Sequence, residues 1–399
     1  MAVNSMSFED SSALINLVKE QLTGESSIAP VSEEEFVKVG TTLLQTGYDQ
    51  LNTALSQVLN KTIYAVRNYE EQFPGLERDS QEWGGIIRKV TFIDGDFETD
   101  VAMDPTAMAN GQSPDPFKIN RRKAVQFNFY GGTTVEYCDT MTEDQMNTVL
   151  SSSAEFGSYA AARMSELLNQ FTQKKEVEDR LTFLNVMAAV IDNGTNVIHA
   201  LTEYKAATGN VTITRANVYS NDEFVPFAKW LYGRLNNQIT MLKQRSDKYH
   251  FNITTYNGAA LDHPIMRHTP REDLSIYMLD QFMQQINSSV LSSVYNNELL
   301  SVGDYNSVAF WQAIDDPDEI AITPSVLQAD GTVVAASDPI ETADVIGMMF
   351  DRETCGITTI NEGVRSIYNP RGRYFNNWYN WRIRSYNDLT ENALVIMLD

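Results

Sequence analysis

Residues 366–384 read Ser-Ile-Tyr-Asn-Pro-Arg-Gly-Arg-Tyr-Phe-Asn-Asn-Trp-Tyr-Asn-Trp-Arg-Ile-Arg, a stretch in which four arginines are interleaved with six aromatic residues. Successive side chains of a β-strand point to opposite faces of its sheet. On that period the end of the stretch separates into two sets, Trp378, Asn380, Arg382 and Arg384 on one face and Tyr379, Trp381 and Ile383 on the other. The alternation predicts a half-buried strand that packs aromatic rings inward and offers arginines to a neighbour's carboxylates.

Arginines interleaved with aromatic rings are also typical of surfaces that stack single-stranded nucleic acid, which is the competing interpretation of this stretch. The charge of the whole chain argues against it. The 399 residues include 30 Lys and Arg against 53 Asp and Glu, a formal net charge of −23, whereas nucleic-acid binders need a basic face to neutralise phosphates. The strand interpretation is therefore favoured.

The composition is that of a globular protein, with 43% hydrophobic and 10% aromatic residues. The length suggests two or three domains. Cys138 and Cys355 lie far apart and cannot build a disulfide framework, so we expect two free thiols in a reducing cytoplasm. The chain opens with no secretory signal, and no apolar run approaches the roughly 18 residues of a membrane span, so we expect a soluble protein that is not exported.

The first half of the chain predicts an arm, a helical segment and a hairpin. A short apolar cluster at residues 14–18 has no core of its own, so we expect an arm docked on something else, with its core on a neighbouring subunit. Ser32 followed by Glu33, Glu34 and Glu35 predicts the start of a helical segment that Phe73-Pro74-Gly75 ends. Residues 86–99 and 124–135 then predict two strands of a long hairpin with a polar tip at 101–115. The tip has so few apolar residues that we expect it to contact neighbouring subunits.

A helical pattern begins at Thr142 and continues to about Ile191, much longer than an average helix. Its spacing predicts a buried apolar side and an exposed charged side. The buried side comprises Phe156, Tyr159, Leu167, Leu168 and Phe171, continued by Val177, Leu181, Leu184, Val186 and Met187, and the exposed residues are Lys174, Lys175 and Glu178. Further on, the pattern predicts helices at 224–242 and 279–286, a strand at 274–278 and a β-rich end that closes on the apolar strand 393–398.

No group of residues suited to catalysis stands out. The one histidine cluster offers Asp262, His263 and His268 as metal ligands, but its spacing and Pro264 do not bring both imidazoles to one helix face, so a polar loop is favoured. Cys138 lies beside Glu136 and Asp139, whose charges raise the pKa of its thiol and make it a poor nucleophile. Nucleotide and hydrolase motifs do not occur. We expect no enzymatic activity, no cofactor and no bound metal.

The order of these parts resembles that of tailed-phage major capsid proteins of the Hong Kong 97 fold. The segment Val364-Arg365-Ser366-Ile367-Tyr368-Asn369-Pro370-Arg371-Gly372-Arg373-Tyr374 is similar to the end of small podovirus capsid proteins, which carry an N-P-R-G aromatic pattern. The resemblance implies an α+β fold with six parts: N-terminal arm 1–31, helical segment 32–73, extended β-hairpin 74–136, peripheral domain with spine helix 137–205, axial domain 206–343 and return to the peripheral sheet 344–399.

The resemblance also implies a structural function in the virion, after assembly in the host cytoplasm. Pentamers and hexamers of the chain would form an icosahedral head around double-stranded DNA that is bound without sequence specificity, with scaffolding, portal and minor head proteins as further partners and no membrane. An acidic inner wall suits this role because it repels the duplex. Two alternatives stay open, an encapsulin-type compartment shell and a metal-dependent hydrolase that uses Asp262, His263 and His268.

The arginines of the closing stretch are the candidate contacts between subunits. In a chain this acidic, we expect Arg371, Arg373, Arg382 and Arg384 to pair with carboxylates of an adjoining subunit, such as Glu33, Glu34 and Glu35. Guanidinium–carboxylate pairs of this kind give register and specificity more than affinity.

Overall fold

The computed structural model describes residues 7–24, 29–46, 48–61, 73, 75–78, 87–93, 109–111, 117, 119, 123–130, 132–291 and 305–399. Within these residues the chain forms eight helices and sixteen strands, in agreement with the α+β class that the sequence predicts. None of these helices is long and apolar enough to cross a membrane. The helices are α1 Phe8–Thr23, α2 Glu33–Thr46, α3 Tyr48–Lys61, α4 Glu143–Val149, α5 Ser153–Asn193, α6 Ala200–Thr208, α7 Asn221–Leu242 and α8 Asp280–Leu291.

Ten of the strands form one hairpin and two larger sheets. They are β1 Ile87–Phe92, β2 Ala124–Phe129, β3 Thr133–Thr142, β4 Val197–His199, β7 Leu274–Leu279, β8 Asn306–Val308, β13 Val345–Asp351, β14 Cys355–Asn369, β15 Tyr374–Asn387 and β16 Ala393–Met397. The remaining strands form three small antiparallel pairs, which are β5 Thr255–Tyr256 with β6 Ala259–Ala260, β9 Ile320–Ile322 with β12 Ile340–Thr342, and β10 Ser325–Leu327 with β11 Val333–Ala335.

Helix α5 is the long spine that the sequence predicts. It has 41 residues, which corresponds to a length of about 60 Å. The hydroxyl of Ser152 caps its start by accepting a hydrogen bond from the N–H of Glu155 at 3.2 Å, and Gly194 ends it in the left-handed conformation. The predicted start at Thr142 belongs instead to the short helix α4, because Thr142 and Gln145 form a separate capping box there.

The first half of α5 packs against the N-terminal helices of its own chain. Helices α1 to α5 together bury one apolar cluster that includes Leu14, Ile15, Val18, Phe36, Leu43, Leu51, Leu55, Met146, Phe156, Ala160 and Met164. The expectation that the apolar residues of the arm need a core outside their own chain is therefore wrong. The residues at 14, 15 and 18 share one helical face, and α3 and α5 cover that face.

The second half of α5 lies in a larger core around a five-stranded sheet of order β4-β16-β13-β7-β8. Every residue of β13 and β16 is buried. Phe183 of α5 lies at the centre, with its ring 5.2 to 5.7 Å from the rings of Phe73, Tyr277, Trp311 and Phe350. A glycine is required at position 347 because an added Cβ would lie 2.9 Å from the backbone carbonyl oxygen of Tyr277 as well as 2.4 Å from the sulfur of Met278.

A three-stranded antiparallel sheet of order β14-β15-β3 forms the second layer. The predicted half-buried strand is confirmed as β15, whose buried residues include Phe375, Asn377, Tyr379, Trp381 and Ile383. The ring of Trp381 stacks on Phe171 of α5 with 4.7 Å between ring centroids. Asn380 and Arg384 of the other set are also buried, so the alternation of exposure is incomplete.

Between its two cores the spine carries a polar waist, in which Lys175, Glu176 and Asp179 are buried and Arg180 is half-buried. Lys175 is only 3% exposed and forms an ion pair with Glu77 at 2.8 Å. Arg180 donates to the carbonyl oxygens of Phe310 at 2.7 Å and Trp311 at 3.0 Å. Chain segments next to residues 77 and 310 therefore cover this side of the helix.

The waist explains where the predicted faces of the spine are wrong. Lys175 is buried instead of exposed and Glu178 is half-buried, whereas Lys174 is exposed as predicted. Tyr159, Leu168 and Phe171 are half-buried, and Val177 and Leu181 are exposed. A helix that leaves one core and enters another changes its buried side, so one periodic pattern does not describe its full length.

Most of the other predicted elements are confirmed. Strands β1 and β2 pair as an antiparallel hairpin, from Ile87 opposite Phe129 to Phe92 opposite Ala124. Helices α7 and α8 and strands β7 and β16 lie within a few residues of their predicted bounds. Of the predicted hairpin tip, 101–115, only residues 109–111 lie within the described residues, and these are exposed.

Two leucines one turn apart on α5 test the burial of the spine. Leu184 is 3% exposed and Leu181 is 53% exposed. We expect Leu184→Ala to lower the free energy of unfolding by about 2–5 kcal/mol because it leaves a cavity, and Leu181→Ala to change it by less than about 0.5 kcal/mol. Chemical denaturation of both variants measures the difference, and equal losses would contradict the orientation of the helix.

Candidate functional site

The root of the β1–β2 hairpin is fixed to the body of its own chain by four charged side chains. The ammonium of Lys89 lies 2.9 Å from the carboxylate of Asp388 and 2.6 Å from that of Glu391. Arg267 adds a second cation at 3.1 Å from Glu391. Two cations and two anions thus balance in a place that is largely removed from solvent. We call Lys89, Arg267, Asp388 and Glu391 the root cluster.

Burial and charge act in opposite directions on the titration of the root cluster. Burial by itself would lower the pKa of Lys89, but Asp388 and Glu391 more than compensate, so this pKa lies above its ordinary value. Burial raises the pKa of Glu391, and Lys89 and Arg267 offset only part of that rise. Lys89 therefore stays charged, and Glu391 takes up a proton more readily than an exposed glutamate.

Hydrogen bonds and apolar contacts complete the attachment of the root. Arg267 donates to the hydroxyl of Thr91 at 2.9 Å. The hydroxyl of Tyr256 accepts from the N–H of Gln126 at 3.1 Å and donates to the carbonyl of the same residue at 3.0 Å. A small apolar cluster of Ile93, Val125, Ile253 and Ile265 packs beneath it. The base of the hairpin therefore packs against the body of its own chain and does not simply project from it.

The outer face of strand β1 is exposed in the part of the hairpin that the structure describes. On β1 the side chains of Val90 and Phe92 are 49% and 65% exposed, while Lys89 and Thr91 on the opposite face point into the body. Three further hairpin residues, Phe117, Ile119 and Tyr130, are also strongly exposed. Val90 and Phe92 form what we call the hairpin stripe. An uncovered apolar stripe on a rigidly held strand is typical of a protein contact surface.

The N-P-R-G segment, residues 369–372, comprises the last residue of β14 and most of the four-residue turn 370–373 that leads to β15. The side-chain oxygen of Asn369 accepts hydrogen bonds from the N–H groups of Arg371 at 3.1 Å and Gly372 at 3.0 Å. The amide of Asn369 donates to the hydroxyl of Tyr374 at 2.9 Å. The ring of Tyr374 thereby covers Gly372, where an added Cβ would lie 2.3 Å from it. The turn leaves the side chains of Arg371 and Arg373 exposed at the end of the sheet.

The turn also contacts the start of helix α4. The carbonyl of Arg373, which is in the left-handed conformation at φ 51°, accepts from the N–H of Glu143 at 3.1 Å. The hydroxyl of Tyr368 donates to the carboxylate of the same glutamate. The position of the two exposed arginines is therefore set by the body of the subunit.

The three predicted acidic contacts differ in their surroundings. The carboxylate of Glu33 accepts from the hydroxyl and the N–H of Ser153, the first residue of α5, with the N–H at 2.7 Å. These hydrogen bonds lower the pKa of Glu33. Glu35 accepts from the N–H of Val31 at 3.0 Å as part of the cap of α2. Glu34 is exposed. Glu33 and Glu35 thus have local roles in their own chain.

The other two arginines lie within the sheet. Arg382 forms an ion pair with Glu362 of the neighbouring strand β14. Arg384 is buried, with its Cγ 3.3 Å from where a Cβ on Gly132 would be. Trp381 and Tyr379 are also buried. The aromatic rings of that inner face are therefore unavailable for stacking on nucleic-acid bases.

The residues considered for catalysis are not assembled into a site. Asp262 forms an ion pair with Lys123 at 2.6 Å, and no group of three or more His, Cys, Asp or Glu in the described part of the chain is placed to hold a metal ion. Burial, Glu136 and Asp139 raise the pKa of the Cys138 thiol, and burial raises the pKa of Cys355 to about 12. Neither thiol is activated as a nucleophile.

The root cluster is the part of the site that sequence reasoning missed. Its members come from three separate regions of the chain, and nothing in the local pattern around Lys89 or Arg267 distinguishes them from solvated charges. One available signal was the pair Asp388 and Glu391 immediately before an apolar strand, where two acids close to a core need cationic partners.

The turn provides a test with a matched control. We expect Gly372→Ala to destabilise the protein by about 1–3 kcal/mol because the new methyl group displaces the Tyr374 ring. Gly233→Ala in helix α7 meets nothing within 4 Å and is expected to stabilise it by up to about 1 kcal/mol. Thermal unfolding of the two variants should shift in opposite directions, and a neutral Gly372→Ala would refute the tight turn.

Comparison with known proteins shows the family to which the chain belongs. A sequence profile of the Phi29-like phage major capsid protein family matches residues 15–397. No curated protein matches the chain significantly. A chain of the capsid structure of Staphylococcus phage Andhra is similar in fold, with a TM-score of 0.51 and 11% sequence identity over 85% of this chain and 87% of that chain. A chain from the structure of head fiber and inner core protein gp22 of native bacteriophage P68 gives a TM-score of 0.50, with the same identity and coverage.

These similarities confirm the Hong Kong 97-like capsid fold that the sequence predicts, and they do not favour the encapsulin alternative. The structural matches have low identity and support the fold alone, whereas the profile covers nearly the whole chain. The chain belongs to the Phi29-like phage major capsid protein family, and it forms the shell of the phage head in the virion.

Proposed function

We propose that pentamers and hexamers of this chain assemble into an icosahedral head around double-stranded DNA, and that the chain acts by contacts between copies and not by catalysis. The observation that carries this proposal is the hairpin stripe. The root cluster holds a strand rigidly to the body while Val90 and Phe92 on its outer face remain exposed. In a shell, a neighbouring copy covers such a stripe.

The parts of the subunit and its partners belong to the same proposal. The arm 1–31, helical segment 32–73, hairpin 74–136, peripheral domain 137–205, axial domain 206–343 and closing segment 344–399 act as the units of the capsid subunit. Scaffolding, portal and minor head proteins are its further partners. The net charge of −23 supports an inner wall that repels packaged DNA and lets it move.

Electron microscopy of shells formed by the purified chain tests the function. We expect wild-type protein to form closed particles of uniform size, and Val90→Ser/Phe92→Ser to remain folded but to yield at least tenfold fewer particles. The loss follows because the substitutions remove apolar area that only a second copy buries.

A matched variant separates this effect from general surface change. Val211→Ser alters a similarly exposed residue outside the hairpin, 78% exposed, and is expected to leave the particle yield within twofold of wild type. Absence of particles from wild-type protein, both alone and together with its scaffolding protein, would refute the shell function. A normal yield from the hairpin variant would refute the role of the stripe.

The candidate residues for contacts between subunits differ in whether their charged groups already have partners in their own chain. Among the described residues, no hydrogen bond or ion pair engages the guanidinium of Arg371 or Arg373, and none engages the carboxylate of Glu34. These groups are the foremost members of the proposed contact. Glu33, Glu35 and Arg382 are held by groups of their own chain, and Arg384 is buried, so they contribute to it less directly.

Replacing the two turn arginines tests this contact. We expect Arg371→Gln/Arg373→Gln to keep the unfolding midpoint of wild type and to lower particle yield severalfold, because the adjoining carboxylates lose their partners. Lys38→Gln/Lys229→Gln removes the same charge from two other exposed sites and should have little effect. Salt-dependent binding of single-stranded oligonucleotide by wild type, lost in the arginine variant while particle yield is normal, would instead support the stacking interpretation.

A further inference from the structure

The two ends of strand β7 lie beside surfaces of opposite charge. Leu274, its first residue, lines a cleft of about 750 Å³ together with Lys243, His268, Pro270, Arg271 and Glu272. We call these six residues the basic cleft. Leu279, its last residue, lies beside Asp315 and Asp316 of the loop 314–319, Ile-Asp-Asp-Pro-Asp-Glu. We call residues 314–319 the acidic loop.

The basic cleft is unusual for a chain with a net charge of −23. Its lining includes Lys243, Arg271 and His268 but one carboxylate, Glu272, while Pro270 and Leu274 provide apolar surface. It is a fixed feature, because the N–H of Thr269 donates to the carbonyl of Leu242 at 2.8 Å and so joins the end of α7 to the segment before β7. The cleft thus suits a ligand with an apolar side chain next to carboxylates.

The acidic loop combines an exposed apolar side chain with neighbouring carboxylates. Ile314 is 76% exposed, and Asp315 and Asp316 follow it and are exposed. Among the described residues neither aspartate forms an ion pair or a side-chain hydrogen bond. The nearby Arg215 instead forms ion pairs with Asp344 at 2.5 Å and with Asp318 at 3.6 Å. The two aspartates next to the exposed isoleucine therefore form no ion pair within the part of the chain that the structure describes.

The loop is held in place by the core. The N–H of Trp311 donates to the carbonyl of Pro317 at 2.9 Å, and the N–H of Val345 donates to the carbonyl of Asp318 at 3.1 Å. The buried indole of Trp311 donates to the carbonyl of Val345 at 2.6 Å. The loop therefore presents Ile314 and its aspartates from a rigid base, which lowers the entropy cost of binding.

The cleft and the loop of one chain are separated by the length of β7, six residues or about 20 Å. They lie at opposite ends of one rigid sheet and do not meet within a subunit. We propose that the acidic loop of one copy binds in the basic cleft of the next, with Ile314 against Pro270 and Leu274 and with Asp315 and Asp316 facing Lys243 and Arg271. The proposal rests on the proposed shell function and names one of its contacts.

A contact of this kind joins two different surfaces of identical chains. Such heterologous contacts close into rings when the rotation between copies permits it, as pentamers and hexamers require. The charge pairs give the contact its register and direction, and the apolar side chain supplies buried area.

Charge exchange between two variants tests the pairing. The cleft variant is Lys243→Glu/Arg271→Glu and the loop variant is Asp315→Lys/Asp316→Lys. Each variant alone repels its own copies at this contact, so we expect at least tenfold fewer rings and shells than wild type in sedimentation velocity. Lys38→Glu/Lys229→Glu, with the same charge change as the cleft variant at other exposed sites, should assemble like wild type.

Mixing the two variants gives a sharper outcome. In an alternating ring the altered cleft accepts the altered loop, and the unaltered cleft accepts the unaltered loop, so an equimolar mixture should form even-membered rings but no pentamers. All four substitutions in one chain restore every contact and should recover both kinds of ring. Unchanged thermal midpoints establish that each variant is folded. If a double variant does not fold, Lys243→Glu and Asp315→Lys are used, because both side chains are exposed.

Several results would overturn the pairing. Wild-type yields from both variants would refute it, and so would failure of the four substitutions to recover assembly. Binding of a short DNA duplex by wild type that the cleft variant loses while forming normal shells would assign the cleft to phosphate instead. Failure of wild-type protein to assemble even together with its scaffolding protein would refute the shell function itself, and is thus distinguishable from these outcomes.

Discussion

The length of helix α5 is the constraint on which the rest of the fold depends. Its 41 residues are too many for one core, so the helix joins a helical cluster at its start to a sheet-based core at its end. Between the two cores the helix buries charged side chains, which would destabilise the fold if they had no partners. Glu77 pairs with Lys175, and the carbonyls of residues 310 and 311 accept hydrogen bonds from Arg180. The waist thereby ties distant parts of the chain to one rigid rod.

The hairpin depends on the same body for its orientation. Its root cluster and the tyrosine contact at Gln126 fix one face of the strands, and this leaves Val90 and Phe92 on the other face. A loosely attached hairpin would lose conformational entropy on docking, whereas a fixed one presents its apolar residues already in place. The same logic holds for the N-P-R-G turn, where a capped backbone and the Tyr374 ring set the position of two exposed arginines.

The charge of the subunit is distributed unevenly, and this bears on assembly. A uniformly acidic surface would keep copies apart. Instead, two exposed arginines lie at the N-P-R-G turn and cations line the basic cleft, while Asp315 and Asp316 of the acidic loop form no ion pair with the described residues. In the contact that we propose, opposite charges on separate surfaces of one chain favour a defined order of contact between copies.

Local pattern was enough to predict the elements themselves. The period of two from Trp378 to Arg384, the long helical period before Ile191 and the paired strands of the hairpin all reflect side-chain spacing along one segment, which the sequence by itself determines. The capsid resemblance rested on the order of those elements and on the N-P-R-G turn. Only the tertiary structure decided three other features. These are the burial of Lys175, the partners of Glu33 and Arg382, and the whole root cluster. Each of these features depends on contacts between residues that are about 20 to 300 positions apart in the chain. The free energy of a charged side chain in the folded protein depends on its ion-pair partner and on its removal from solvent, and a local sequence pattern contains neither.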